Sequence, residues 1–249
     1  MKNYNKFIHS NAKVDEESFI AKNVIIGREV IIEEDVYICD NVKIYGKAII
    51  KKGTFIGHDC IIGHPQREQL KDIIKEKKPL EEAENPLVEI HESCVIRAGT
   101  IIYSEVKIGA KCQTGHHVMI REKTEIGTNT LIGTNSVIDG NVKIGDNVSI
   151  QTGVYIPLHT RVGNNVFLGP YCKLTNDKYM MRKEYDLKGP IIEDFVSIGS
   201  NSVILPGLTI KKGTMVGAGS VVIKNTDDYD IIAGNPARFI KKVPKSWIK

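Results

Sequence analysis

No run of about 18 consecutive apolar residues occurs in the chain, and nothing after Met1 has the length and apolar core of a secretory leader. The sequence-based expectation is a soluble, cytoplasmic protein with no membrane partner. A large excess of charge of one sign is missing too. The 34 basic and 30 acidic residues leave a net charge of +4 over 249 residues. That balance argues against a nucleic-acid partner, which would call for a basic face. The five cysteines include no CxxC pair. Four of them, Cys60, Cys94, Cys112 and Cys172, recur at one position of a repeat described next. They read as small buried hydrophobes in a reducing compartment, not as disulfides or metal ligands, and no metal is expected. A phosphate-binding Walker loop is absent. The GAGS at 217–220 falls inside the repeat, so it is no dinucleotide fingerprint.

What the chain has is a period of six. Between Lys107 and Leu174 the register falls on Ile108, Thr114, Ile120, Ile126, Ile132, Ile138, Ile144, Ile150, Ile156, Val162, Leu168 and Leu174. Two residues ahead of each stands a small or β-branched residue, such as Val106, Cys112, Val118 or Thr124. The same register runs from Val14 to Ile62, resumes at Ile90, breaks after Leu174, and runs again from Ile192 to Val222. A fixed short period held this long marks a solenoid, here of about thirty hexapeptides. The aliphatic and the residue two before it share one side of a strand. The residues after it must turn. Glycine follows the aliphatic at Gly27, Gly57, Gly63, Gly109, Gly127, Gly133, Gly145, Gly163, Gly169, Gly199 and Gly217. Asparagine comes two residues after that glycine position or its equivalent at Asn23, Asn41, Asn129, Asn135, Asn141, Asn147, Asn165 and Asn201. Both residue types tolerate the positive φ of tight turns. Each six therefore reads as one short strand and one corner.

The period nearly fills the chain, so a single domain is expected over 1–249, all-β, with insertions at 64–88 and 175–189 and a C-terminal tail at 224–249. The first insertion is charged and helix-compatible, flanked by Pro65, Pro79 and Pro86. The tail carries AGNPAR and a basic end, and reads as a short tail or helix.

Over residues 10–240 the pattern resembles the hexapeptide-repeat acyltransferases. That resemblance implies a three-sided, left-handed parallel β-helix of about ten coils, roughly 45–50 Å tall at one strand spacing per coil. Four stretches are similar, more narrowly, to N-acetyltransferases of nucleotide-linked 3-amino-3,6-dideoxy sugars. They are QTGHHVMIRE (113–122), IGTNSVIDGNVKIGDNVSIQTGVYIP (132–157), VFLGPYCKLTNDKY (166–179) and GAGSVV with AGNPAR (217–238). The resemblance implies a homotrimer, acetyl-CoA as co-substrate lying between neighbouring prisms, and a sugar nucleotide meeting it there.

Counting by 18 places the candidate residues. The corner after Ile120 carries Arg121 and Glu122, and the next corner in that column, after Ile138, carries Asp139. Their carboxylates are expected about 5 Å apart on adjacent coils. Both insertions are expected to leave from this edge. His116 and His117 sit in the preceding turn, on a neighbouring corner of the coil that carries Glu122. An amine that attacks a thioester must be neutral, and the oxyanion formed needs a donor. His116, Glu122 and Asp139 are therefore the candidate catalytic group, His116 at the reacting atoms and the carboxylates orienting the amino sugar. Substrate contacts are expected from His64, Arg121 and His117, and from the second insertion: Asn176 and Asp177, Tyr179 by stacking on a base, and Arg182 on a pyrophosphate. The same side chains are compatible with exposed turn residues and solvated corner charges. For coenzyme A, Gly199, Gly217, Ala218 and Gly219 offer a smooth face to a pantetheine arm. Lys224 and Arg238 are the candidate phosphate contacts, beside Lys211 and Lys212. Three other readings stand beside this one. The acceptor could be a UDP-linked 3-amino sugar. The solenoid could be a silent scaffold. It could also be a γ-type carbonic anhydrase, for which His58, His64, His91, His116, His117 and His159 lack the paired His-x4-His spacing.

Overall fold

A computed structural model of the chain describes residues 6–247. The ends of the 1–249 domain expectation lie outside the described residues. The chain divides into two compact units, Met1–Asn129 and Thr130–Lys249. Each is a three-sided parallel β-solenoid of the left-handed β-helix type, and each is described by itself.

In the first unit, strands of two to four residues pass in turn through three parallel sheets. Partners in one sheet are one coil apart: Phe7 pairs with Ile25, Ile25 with Lys43, Lys43 with Ile61, Ile61 with Ile101, and Ile101 with Met119. The expected aliphatics, from Ile26 through Ile62 and from Ile90 through Ile120, point inward and are fully or almost fully buried. Each such isoleucine contributes about 1.5–3 kcal/mol of burial relative to solvent exposure. The repeat begins one six earlier than the sequence register indicated, at strand Phe7–Ile8. The second unit repeats the scheme, with Val137, Tyr155, Lys173, Val203 and Val221 stacked in one sheet.

Outward residues differ from sheet to sheet. In the first unit one sheet presents Lys13, Ile31, Ile49, Glu89, Lys107 and Glu125. Another presents Phe19, Tyr37 and Phe55, whose rings stack at 4.6 and 5.7 Å.

The corners hold one correction. All eight asparagines expected at positive φ have it, between 45° and 63°. Of the glycines that directly follow the aliphatic, only Gly63 does. At several of the others neighbouring backbone is too close for a side chain. A Cβ on Gly109 would stand 2.7 Å from the Gly127 carbonyl carbon, and one on Gly199 would stand 2.5 Å from the Ala218 nitrogen. Side-chain volume, not backbone conformation, selects glycine there.

The first insertion is helix Arg67–Glu76 and a short 3-10 turn, Leu80–Glu82. Its return leg is pinned to the first unit. The Arg28 amide donates to the Glu81 carbonyl at 2.9 Å, and buried Asn85 donates from Nδ2 to the Gly63 carbonyl at 2.9 Å. The C-terminal tail is neither plain coil nor α-helix. Strand Asp230–Gly234 adds in parallel beside Met215–Val216, then turns into an antiparallel partner, Ala237–Lys242, followed by a 3-10 turn, Lys245–Trp247. The six-residue period ends at Val222, so it carries no signal for this hairpin.

Candidate functional site

Three neighbouring strands of the first unit, Ile61–His64, Ile101–Tyr103 and Met119–Ile120, end at one edge. The pairing between the first two slips between Ile62 and His64, so that Gly63 is accommodated and His64 comes opposite Tyr103. The two rings lie 4.7 Å apart. His64 Nδ1 is 2.9 Å from the Pro65 carbonyl oxygen. That oxygen can only accept, so Nδ1 carries the proton. One coil on, the Arg121 guanidinium lies 5.6 Å from the centre of the Tyr103 ring. It also donates to Glu122, Nε to Oε2 at 3.2 Å and Nη2 to Oε1 at 2.8 Å. Gln66, at the mouth of the first insertion, donates to Glu105 at 3.0 Å. The structure thus brings His64, Arg121 and Glu122 to one edge, as the count by 18 implied. It adds Tyr103, which the sequence reading missed. Counting by 18 puts Tyr103 in the column of Arg121, but the count gives only the column and not the contact between them.

His116 and His117 are both exposed, in the turn between strands Gln113–Thr114 and Met119–Ile120. Their rings are 6.5 Å apart at 47°. His117 has φ 54° and donates its amide to the Ala98 carbonyl at 3.0 Å.

In the second unit, Asp139 follows strand Val137–Ile138 and accepts a hydrogen bond from the Tyr155 hydroxyl at 3.0 Å. Gly140 beyond it has φ 90°. His159 Nδ1 lies 2.8 Å from Asn141 Nδ2, which can only donate, so that ring nitrogen is the acceptor. The second insertion is built on Asp177. Its carboxylate accepts the amides of Tyr179, Met180 and Met181 at 2.9, 2.9 and 3.0 Å. This is the turn use of an Asx side chain. Asn176 ties the loop down, its Nδ2 on the Leu158 carbonyl at 3.5 Å and its own carbonyl on the Lys188 amide at 3.0 Å. The Tyr179 ring already has company. Tyr185 meets it edge-on at 5.2 Å, and the ammonium groups of Lys178 and Lys183 lie 5.8 and 5.4 Å from its centre. Arg182 is exposed, as are Met180 and Met181 at the tip.

Of the coenzyme candidates, Ala218 and Gly219 are exposed at a corner, and a Cβ built on Gly219 meets nothing within 4 Å. Gly199 is packed against the Ala218 backbone and Gly217 against the Ala233 side chain instead. The Ser220 hydroxyl donates to the Gly217 carbonyl at 2.6 Å and accepts from the Gly234 amide at 3.1 Å, which anchors the hairpin. Lys224 and Arg238 line one cavity of about 240 Å³, with Thr226 and Phe239. A larger cavity of about 490 Å³ lies over Ser149, Phe167, Ser197 and Met215, bounded by Tyr229 and Trp247. The sequence reading missed it, because Trp247 reaches it through the unforeseen hairpin.

All five cysteines are buried and none is in a disulfide. Burial pushes the Cys60 thiol up to about 11 and the Cys172 thiol up to about 12. A hydrogen bond with Cys112, then burial, holds Cys94 far above the usual thiol range. These thiols stay protonated and unreactive at neutral pH. Among the described residues, no three His, Cys, Asp or Glu side chains are grouped to hold a metal ion, and no helix is long and apolar enough to cross a membrane.

A sequence profile of the bacterial transferase hexapeptide, in six repeats, matches residues 123–157 and 189–224. A Schizosaccharomyces pombe protein named as an acetyltransferase is 38% identical over 88 residues, 33% of this chain and 42% of its own. The 2,3,4,5-tetrahydropyridine-2,6-dicarboxylate N-acetyltransferase of Clostridium perfringens is 53% identical over 53 residues, 21% of this chain and 22% of its own. The chain thus spans less than half the length of these two relatives. Among solved structures, a hexapeptide-repeat acetyltransferase from Vibrio cholerae, complexed with acetyl coenzyme A, aligns at 26% identity over 49% of this chain and 72% of its own, with a TM-score of 0.43.

Proposed function

We propose that the chain is an acetyl-CoA-dependent N-acetyltransferase. Its acceptor is the amino group of a nucleotide-linked amino sugar, a dTDP-3-amino-3,6-dideoxyhexose, and its product serves glycan assembly. The observation that carries this reading is the match of the solenoid's own coils, at 123–157 and 189–224, to the bacterial transferase hexapeptide. The corner side chains supply chemistry that suits the reaction.

The neutral amine attacks the thioester carbonyl. A C–N bond forms, the C–S bond breaks, and the proton lost by the amine ends on the departing sulfur. His116, exposed on its corner, accepts or relays that proton. Glu122 and Asp139 orient the amino sugar by hydrogen bonds to its amine and hydroxyls. Arg121, held by Glu122 and Tyr103, and His64 beside them favour the sugar nucleotide's polar groups. Arg182, exposed on the second insertion, is the proposed pyrophosphate contact, and Tyr179 is the proposed base contact. Asn176 and Asp177 serve by shaping that loop. Ala218 and Gly219 leave backbone open to the pantetheine amides, with Gly199 and Gly217 keeping the coils close behind them. Lys224 and Arg238, which share a cavity, are the proposed contacts for the coenzyme phosphates.

A homotrimer belongs to the same proposal. It is supported in the first unit by a charged outward face beside an aromatic one, since a closed ring needs subunits with apolar surface to bury and polar surface to keep wet.

The test is a screen of dTDP- and UDP-linked amino sugars, with non-sugar amines, for thiol release from acetyl-CoA. Turnover with the dTDP-linked 3-amino sugar is expected, and His116→Asn should lower kcat by about 100-fold or more. Preference for a UDP-linked sugar would replace the nucleotide assignment. No thiol release with any amine, together with no coenzyme A binding, would remove the enzyme reading.

A further inference from the structure

The corner of the first unit that carries the two histidines belongs to a column of left-handed residues, one per coil. They are Asn23, Asn41, Asp59, Gly99 and His117, with φ of 56°, 63°, 58°, 72° and 54°. In this column each amide from Asn41 onward donates to a carbonyl one coil back: Asn41 to Lys22, Asp59 to Asp40, Gly99 to His58, and His117 to Ala98, at 2.9–3.2 Å. The first three side chains run into one another. Asn23 Nδ2 donates to Asn41 Oδ1 at 3.2 Å, and Asn41 Nδ2 to Asp59 Oδ1 at 3.0 Å. The column of side chains stops at Gly99. The His117 imidazole takes up the space there, for a Cβ built on Gly99 would stand 2.6 Å from His117 Cε1.

The same pairing of a corner glycine with a ring one coil later recurs twice in the second unit. Tyr171, φ 59°, lies against Gly153, and Tyr229, φ 57°, lies against Gly213. In both places a tyrosine, with no imidazole chemistry to offer, does the packing. His159 is the contrast. It too has positive φ, at 68°, but the residue one coil before it is Asn141, and there the imidazole is hydrogen-bonded. His117 follows the tyrosine pattern.

We propose that His117 is a positioning residue. Its imidazole packs on Gly99 as a tyrosine ring packs at the two other corners, and this contact fixes the turn from which His116 reaches the reacting groups. The inference rests on the acyl-transfer role of His116 proposed above. Loss of the ring removes this packing from a turn whose backbone is also tied by the His117 amide to the Ala98 carbonyl and by the Thr100 hydroxyl to the Gly115 carbonyl at 3.5 Å. A displacement of about 1 Å at a reacting group is enough to cost up to about 100-fold in rate.

The experiment compares His117→Ala, His117→Tyr and Gly99→Ala with the unmodified chain, with Tm measured for each. Expected is a fall in kcat of about tenfold or more in His117→Ala and Gly99→Ala, with KM for both substrates within about twofold. His117→Tyr should recover kcat to within about threefold. A raised acceptor KM in His117→Ala, or a His117→Tyr variant as slow as His117→Ala, would mean that the imidazole itself meets substrate, and would overturn the proposal. Full activity of His117→Ala would overturn it as well. NMR of protein labelled at histidine 13Cε1 separates this from the fate of the acyltransferase reading. With or without turnover, the His116 signal should be narrow in the unmodified chain and in His117→Tyr, and broadened in His117→Ala. A His116 signal indifferent to His117→Ala would sink the inference even if the enzyme reading stands.

Discussion

Gly63 shows how much a single residue decides here. It sits at the slip in pairing that puts His64 opposite Tyr103, with φ 74°, and a Cβ there would run into the Tyr45 carbonyl oxygen. Gly63→Ala should cost at least about 2 kcal/mol, combining left-handed strain with a backbone clash, and should be visible as a lower denaturant midpoint. The buried thiols make a second prediction. Cys60 and Cys172 titrate near 11 and 12 in the folded chain, raised by burial, against about 8.5 when unfolded. Folding therefore favours their protonated form. That stability is whole below about pH 8.5 and is lost as pH rises through 11 to 12. Tm should hold steady from pH 7 to 8.5 and fall above it, and Cys60→Ala should make the fall shallower. The inward residues were legible in the sequence because a strand's alternation leaves Ile120 and its counterparts one direction to point. Tyr103 was not, because an outward aromatic at a corner looks the same whether or not an arginine lies over it.

At the scale of elements, the two insertions are fastened differently. The first is pinned by Asn85, whose side chain is buried and donates to the Gly63 carbonyl. Asn85→Ala leaves that carbonyl without this donor and should cost about 1–3 kcal/mol, read as a drop in thermal midpoint. The second is folded around the Asp177 carboxylate, which gathers three amides from its own loop. Asp177→Ala should loosen the loop without unfolding the solenoid. Under the proposed function, the acceptor KM rises several-fold, kcat changes less, and Tm moves by no more than a few degrees. Breaks in the period located both insertions, and the prolines and charges of the first announced its helix. Asp177's role as a loop anchor was open in the sequence, where an Asp after Asn fits a turn and a substrate contact equally well. The C-terminal hairpin was illegible for another reason. Its strands Asp230–Gly234 and Ala237–Lys242 are long and two-sided, and the six-residue register has nothing to say about them.

At the scale of the whole molecule, the expectation of one domain predicts a single cooperative unfolding transition, and the trimer proposal predicts a particle of three chains by light scattering at micromolar concentration. The aromatic stripe Phe19, Tyr37 and Phe55 supplies a handle on the second. Tyr37 is 46% exposed, and Tyr37→Lys should shift the particle toward single chains with little effect on secondary structure. A particle that is monomeric at the outset would remove the trimer.

Within each unit, a solenoid strand stands 18 residues after its partner one coil earlier wherever no excursion intervenes, as Lys43 does after Ile25 and Tyr155 after Val137. Length is therefore quantised. Duplicating residues 193–210 would return every later side chain to its own face, adding one storey to the second unit. Duplicating only 205–210 would carry Met215 and all that follows one face onward. Insertions and deletions accumulated by lineages of such a chain should come in whole turns, or else leave the register as excursions that begin and end on it, as 64–88 and 175–189 do.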